Sequence, residues 1–291
     1  MPAATRDPLT SNGYTLDDAP HRLGALEPVS ATERGDHGAL WRRLRRDGYL
    51  YLPGFLDAEV VLEFRRFYFE ALRDVGLLDG EAPSQDGRDG GGPIDRAALR
   101  DVLFGTVVPS AEYQAFCAQP RIVDFFRWLY GGDETFLHKR KIIRHTRPGD
   151  MGVGSATQAH YDLVYLREGT DRVLSMWIPL GDCPLERGGL VYLEGSHHRV
   201  RREEAAGTLQ RPAASITADL PKLADDLDAR WLCADYGAGD VVVHCSQIIH
   251  AALDNVDSED TVRLSTDIRY QRSSDGIDQR WQRHWIDTDG L

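Results

Sequence analysis

The chain has 291 residues, with 34 Lys and Arg against 46 Asp and Glu, and a net charge of −12. That acidic surplus argues against a chain that coats nucleic acid or an anionic membrane, and no apolar run approaches the roughly 18 residues that span a bilayer. With 42% hydrophobic and 27% charged residues there is material for a packed core, so wholesale disorder is excluded. The length suits one large domain with extensions. The N-terminus lacks the apolar segment of a signal peptide, and Cys117, Cys183, Cys233 and Cys245 form no C-x-x-C pair. Both features point to reduced thiols in a cytoplasm.

Residues 1–35 read as an irregular arm. Helical patterning begins near Asp36 and ends at Asp47-Gly48, where Gly48 suits a C-terminal cap. Tyr49 to Leu52 reads as a strand stopped by Pro53-Gly54. A second helix runs from Asp57 to about Val75, with Val60, Val61, Phe64, Phe67, Tyr68 and Leu72 at helical spacing. Residues 78–94 hold three Asp-Gly pairs and read as an exposed loop, a candidate lid. Helices return over 95–104, 110–118 and 120–131. The character then changes to short strands over 134–146, 157–162, 172–179, 189–194, 231–236, 240–244, 247–252 and 261–271. This order predicts an α+β domain over 36–272: a helical front part (36–133) packs on an antiparallel sandwich or barrel (134–272), and a tail follows over 273–291.

The chemistry starts at Gln158-Ala159-His160-Tyr161-Asp162. Strand alternation puts His160 and Asp162 on one face, where an imidazole and a carboxylate can take two neighbouring positions on a metal. A third ligand must come from elsewhere, and His-x-Asp alone is weak evidence. Downstream lie Gly239-Asp240, His250, Asn255 and the strand from Arg263. On that strand Arg263 and Ser265 share a face opposite Val262, Leu264 and Ile268. A guanidinium fork beside a hydroxyl makes a carboxylate receptor, with Arg269 on the same face as the alternative. The basic cluster of His138, Lys139, Arg140, Lys141, Arg144 and His145 reads either as a small-anion receiver or as a solvated strand edge.

This ordered set resembles the phytanoyl-CoA dioxygenase family of Fe(II)/2-oxoglutarate-dependent oxygenases. The matching pieces are His160-x-Asp162, Trp177, Glu186-Arg187-Gly188-Gly189-Leu190, Glu194-Gly195-Ser196-His197, and Gly239-Asp240 with His250, Asn255 and Arg263. The resemblance implies a double-stranded β-helix, a jelly-roll barrel with flanking helices, and Fe(II), 2-oxoglutarate and O2 as cofactors. It implies that His160, Asp162 and His250 hold iron. Arg263, aided by Ser265, would take the distal carboxylate of 2-oxoglutarate, with Trp177, Lys141 and Gln158 as further cosubstrate contacts. The reaction it implies is hydroxylation of a small molecule, with desaturation, cyclisation and epimerisation open to the same residues. Two rival readings are a cupin-like metal enzyme without 2-oxoglutarate and a non-enzymatic jelly-roll binding module. The gap of thirteen residues from His250 to Arg263 is long for the family and should enlarge the turn at 255–260. His197 and His198 read as structural. His244 lies six residues before His250, and an unbroken strand would hold the two about 20 Å apart, too far for one metal.

Overall fold

A computed structural model of the chain describes residues 8–288 apart from 167, 211 and 213. The front part opens with three short strands, β1 (Thr10–Ser11), β2 (Tyr14–Thr15) and β3 (Leu23–Ala25). Helix α1 (His37–Asp47) leads into β4 (Tyr49–Leu52), followed by α2 (Ala58–Ala71), α3 (Arg96–Val102), α4 (Ala111–Cys117) and α5 (Pro120–Leu129). The Asp36 side chain accepts from the Ala39 N–H to start α1, and Gly48 ends it at φ 80°. A side chain at Gly48 would also meet the His197 ring at 2.8 Å, so the position needs glycine for two reasons. Asp57 caps α2 in the same way, and Pro120 occupies the first turn of α5.

The remaining strands are β5 (Thr135–Leu137), β6 (Ile142–Thr146), β7 (Leu174–Pro179), β8 (Leu190–Leu193), β9 (Trp231–Cys233), β10 (Val241–Cys245), β11 (His250–Ala252) and β12 (Arg263–Arg272). Helices α6 (Ser196–Ala205) and α7 (Leu220–Leu227) lie between β8 and β9. One sheet has the order β4-β10-β7-β12-β5, with β6 also paired to β12, and faces a second of order β11-β8-β9-β3. Two such sheets enclosing one interior form the double-stranded β-helix.

Alternation sorts the side chains of the larger sheet. Arg263, Ser265, Asp267 and Arg269 stand on the inner face of β12, opposite Thr146, Arg144 and Ile142 of β6 and Ser175 and Trp177 of β7. Thr266 and Tyr270 face out, where Tyr113 hydrogen-bonds Thr266 and Phe126 stacks on Tyr270 at 4.3 Å. The front helices therefore cover the outer face of this sheet. A separate apolar cluster, with Leu9, Leu16, Val191, Leu220, Leu223 and Trp231, covers the outer face of the other.

The structure departs from the sequence reading in four places. The arm is not irregular: β3 pairs in parallel with β9, and the Asn12 and Gly13 N–H groups donate to Asp254 at 2.8 and 2.9 Å. Residues 157–162 contribute only isolated bridges at Ala159 and His160 before a 3-10 turn at Asp162–Val164. Helix α6 replaces the turn expected after Gly195, and α7 occupies a stretch with no assigned element. Finally, the chain reverses between β10 and β11, so those two segments lie in different sheets.

Burial holds His145 down at about 4, with Arg263 and Arg147 adding to it, and its ring contacts the Tyr68 hydroxyl at 2.6 Å. Burial also brings His138 down to about 4, against the bond to Gln271, and His197 to about 4. Each folded value lies below the ordinary 6.5, so the unfolded chain binds protons first and stability falls as pH drops from 6.5 toward 4. Urea unfolding free energies measured from pH 7.5 to 4.5 should show that slope. His145→Gln, which keeps an amide for Tyr68, should flatten it by on the order of 3 kcal/mol over the full window.

Candidate active site

His160 and His250 exchange both backbone hydrogen bonds, at 3.0 and 2.9 Å, as a directly opposed antiparallel pair. Their side chains therefore leave on the same face, and the ring centroids are 4.3 Å apart. Asp162 follows where the chain turns inward. One ligand atom from each of His160, Asp162 and His250 lies within 4.8 Å of the others. The His160 Nδ1 meets the Gln158 carbonyl at 2.9 Å, and the His250 Nδ1 meets the Ile248 carbonyl at 3.1 Å. A carbonyl only accepts, so each Nδ1 carries the proton and each Nε2 presents a lone pair. No described residue hydrogen-bonds either Nε2. Two neutral nitrogens and one carboxylate oxygen on adjacent corners form a donor set suited to Fe(II) with open positions, so these residues fit the metal.

Asp162 is held by three inward side chains of the larger sheet. The Arg269 guanidinium donates to Oδ1 at 3.0 Å, the Ser175 hydroxyl donates to Oδ2, and His244 Nε2 lies 3.5 Å from Oδ2. Burial alone would raise this carboxyl, but Arg269, with His244 and His250, reverses that and holds it well below the usual range. Burial lowers His160, with Asp162 opposing, and it lowers His250 further with the help of His160 and His244. The set thus rests as a carboxylate and two neutral imidazoles.

His244 does not lie about 20 Å from His250, as an unbroken strand would place it. Its ring centroid lies 4.6 Å from that of His250, not across the barrel, because the chain folds back through 246–249. His244 sits behind Asp162, with the Tyr192 hydroxyl at its Nδ1 at 3.2 Å. His197 and His198 meet the carbonyls of Arg45 and Arg46 at the C-terminal end of α1.

A cleft of about 280 Å³ opens over the two ligand histidines, with Arg144, Gln158, Tyr165, Asp267, Arg269 and Trp281 in its wall. Trp281 comes from the tail, and its ring lies under Arg269 at 4.6 Å and Arg140 at 5.1 Å. The loop over 78–94 lies elsewhere: Asp89 pairs with Arg147 at 2.7 Å, and Arg88 bridges Thr261 ahead of β12.

The residues read as cosubstrate contacts fall in different places. Arg263 is buried and donates to Ser265 Oγ and Thr146 Oγ1, each at 2.7 Å. Thr146 escaped the sequence reading because only strand pairing puts it opposite Arg263. Trp177 faces the interior and packs on Tyr236 at 4.8 Å. Gln158 lines the cleft and accepts from Ser215 at 2.6 Å. Lys141 donates to Gln114 at 2.6 Å and does not line the cleft. Alternation divides the basic cluster: Arg140 and Arg144 reach the cleft, whereas His145 turns toward α2. The long turn after His250 is knitted by Asn255, which donates to the Thr146 and Thr261 carbonyls at 3.0 and 2.9 Å.

The sequence model of the phytanoyl-CoA dioxygenase (PhyH) family matches residues 44–260. The chain belongs to the phytanoyl-CoA dioxygenase family. It is an Fe(II)/2-oxoglutarate-dependent dioxygenase, with Fe(II), 2-oxoglutarate and O2 as its cofactors. Among curated proteins it is 26% identical over 244 residues to 1-deoxypentalenic acid 11-beta-hydroxylase of Streptomyces exfoliatus, covering 82% of both chains. The epimerase SnoN, solved with Fe3+, alpha ketoglutarate and nogalamycin RO, matches at a TM-score of 0.55 and 22% identity, covering 83% of this chain and 85% of that one. EctD from S. alaskensis, solved with 2-oxoglutarate and 5-hydroxyectoine, matches at 0.55 and 18% identity, covering 95% and 88%. These structures share the fold of this chain. No helix among the described residues is long and apolar enough to cross a membrane.

Arg269→Leu removes the charge that balances a buried carboxylate, at 4% and 1% side-chain exposure. Urea unfolding of the metal-free protein at pH 7 should show a loss of about 3–5 kcal/mol. Adding Asp162→Asn should restore part of it, since the orphaned charge is then gone. Equal losses in the single and double variants would place the effect in packing.

Proposed function

We propose that the enzyme hydroxylates an unactivated C–H bond of a small specialised metabolite, with His160, Asp162 and His250 as the iron ligands. Arg263, with Ser265 and Thr146, is the receiver of the distal carboxylate of 2-oxoglutarate. The observation that carries this reading is the triangle itself, with one ligand atom from each residue within 4.8 Å of the others and each Nδ1 tied to a carbonyl. The relative from Streptomyces is named for hydroxylation of an organic acid, and SnoN was solved with nogalamycin RO. Both names support a specialised metabolite as substrate. Four buried cysteines, none of them in a disulfide, suit a reducing cytoplasm. The acidic chain suits a small-molecule partner rather than nucleic acid or a membrane surface.

Bound iron and 2-oxoglutarate supply the oxidising chemistry: cosubstrate decarboxylation to succinate and CO2 delivers one oxygen atom of O2 to the substrate. The chain's residues supply geometry and shielding. The Gln158 and Ile248 carbonyls fix the imidazole tautomers, while Arg269, Ser175 and His244 fix the carboxylate. The Arg263 fork would receive the distal carboxylate of the cosubstrate, and its burial strengthens each hydrogen bond it donates. Trp281 and Tyr165 wall the cleft and keep water from the reacting carbon.

Purified metal-free protein should bind one Fe(II) per chain and show a weak visible charge-transfer band when 2-oxoglutarate is added without oxygen. Arg263→Ala should keep the iron and weaken 2-oxoglutarate by on the order of 2–4 kcal/mol, about 30- to 1,000-fold. His250→Ala should lose tight iron binding and succinate release. His244→Ala should keep the iron with affinity reduced about 10- to 100-fold, because Asp162 loses one of its supports. Iron retained by the His250 variant and lost from the His244 variant would reverse the ligand assignment.

A further inference from the structure

The cleft beside the triangle holds two charged side chains that the proposed chemistry leaves unused. Asp267 points inward from β12, part-buried in the cleft wall. No described residue donates a hydrogen bond to its carboxylate or places a cation within ion-pair distance. Arg269 is bonded to Asp162 through one nitrogen and Arg263 to Ser265 and Thr146, and neither guanidinium comes within ion-pair distance of Asp267. Burial pushes the Asp267 carboxyl up, with Arg269 opposing, so the structure holds an acceptor group in a place that disfavours it. A desolvated carboxylate without a donor is costly, and such groups inside a cleft are the ones a ligand satisfies.

Arg144 is its counterpart. It lies on β6 opposite Ser265, while Ile142 lies opposite Asp267, so Arg144 is the diagonal cross-strand neighbour of Asp267 on the same inner face. Among the described residues its side chain makes one hydrogen bond, a long one of 3.3 Å to Thr157 Oγ1, and its guanidinium stands 6.0 Å from the Trp285 ring. No described carboxylate pairs with it. Ile142, Leu190, Tyr165 and Trp281 supply apolar wall in the same cleft. The lining thus presents one carboxylate in Asp267, an anion receiver in Arg144 with Arg140 beyond it, and an apolar surface for a compact body.

Given the reading of this cleft as the substrate site, we propose that the substrate is a small ampholyte whose cationic N–H group is received by Asp267 and whose anionic group is received by Arg144. The two side chains then set specificity: a molecule with only one of the charges leaves the other cleft group unmatched. The cosubstrate does not compete for Asp267, because 2-oxoglutarate offers no cationic donor.

Three six-membered rings separate the charges: L-pipecolate carries both, cyclohexanecarboxylate only the anion, and piperidine only the cation. Each is titrated by calorimetry, without oxygen, into protein loaded with Fe(II) and 2-oxoglutarate and into metal-free protein. The visible band is recorded for every loaded sample. L-pipecolate should bind at least ten-fold more tightly than either single-charge ring. Asp267→Asn, nearly isosteric and part-exposed, should remove that advantage over cyclohexanecarboxylate and leave the affinity of the latter unchanged. Arg144→Gln should weaken L-pipecolate and cyclohexanecarboxylate and leave piperidine unchanged. Absence of binding by all three rings, or equal affinities in wild type and variants, overturns the inference. A loss of 2-oxoglutarate affinity in Asp267→Asn with ring binding unchanged also overturns it, by placing the residue at the cosubstrate. A wild-type band without a preference for L-pipecolate sinks this inference alone. The preference in metal-free protein without a band under loading sinks the iron reading alone.

Discussion

The structure turns on one buried carboxylate. Asp162 sits 1% exposed in a barrel interior, where a bare charge is costly, and it stays ionised because Arg269 donates to it from β12 and Ser175 from β7. Both strands belong to the larger sheet, whereas Asp162 lies on the segment that bridges to the smaller one through His160 and His250. The ion pair therefore ties the two sheets together at the place where the ligand triangle forms. Neutralising Asp162 would loosen both the barrel and the site.

Other features of the site follow from that placement. With Oδ1 accepting from Arg269, Oδ2 accepting from Ser175, and the His244 ring packed 3.5 Å from Oδ2, the carboxylate has little freedom to rotate, so its remaining lone pairs point in defined directions. The two ligand histidines flank it, His250 from β11 and His160 from Asp162's own segment, with their outer nitrogens bound to carbonyls two residues back. Shape and charge are thus set before any metal arrives, which lowers the reorganisation needed on binding. The same inner stripe of β12 carries Arg269 at the triangle and Arg263 farther along, so one strand supports the metal site and offers an anion receiver beside it.

Local patterns made much of this legible in the sequence. Helix α1 announced itself by Asp36 and Gly48, and the polar and apolar stripes of β12 by strict alternation. His-x-Asp placed two donors on one face for the same reason. What escaped notice depended on distant pairing. Arg269 stands 107 residues from Asp162, and no local pattern links them. The nearness of His244 to His250 was not legible, because it arises where the chain reverses after Cys245 instead of running on as one strand. Helix α6 is strongly polar and buries only Ser196, His197 and Val200, too few for a periodic signal. Helix α7 did offer one in Leu220, Leu223 and Ala224 behind the Asp219 cap. The arm looked structureless because its strands have two or three residues and its backbone is held from far along the chain, the turn at Asn12 and Gly13 by Asp254 and β3 by β9.

The most direct test of the central claim is an anomalous difference map at the iron edge, from crystals grown without oxygen in the presence of Fe(II). The account predicts a single strong peak per chain, about 2.0–2.3 Å from His160 Nε2, His250 Nε2 and one Asp162 oxygen. Arg269 should still be bonded to that carboxylate. A peak coordinated by His244 in place of His250, or no peak between these side chains in crystals that hold iron elsewhere, would contradict it.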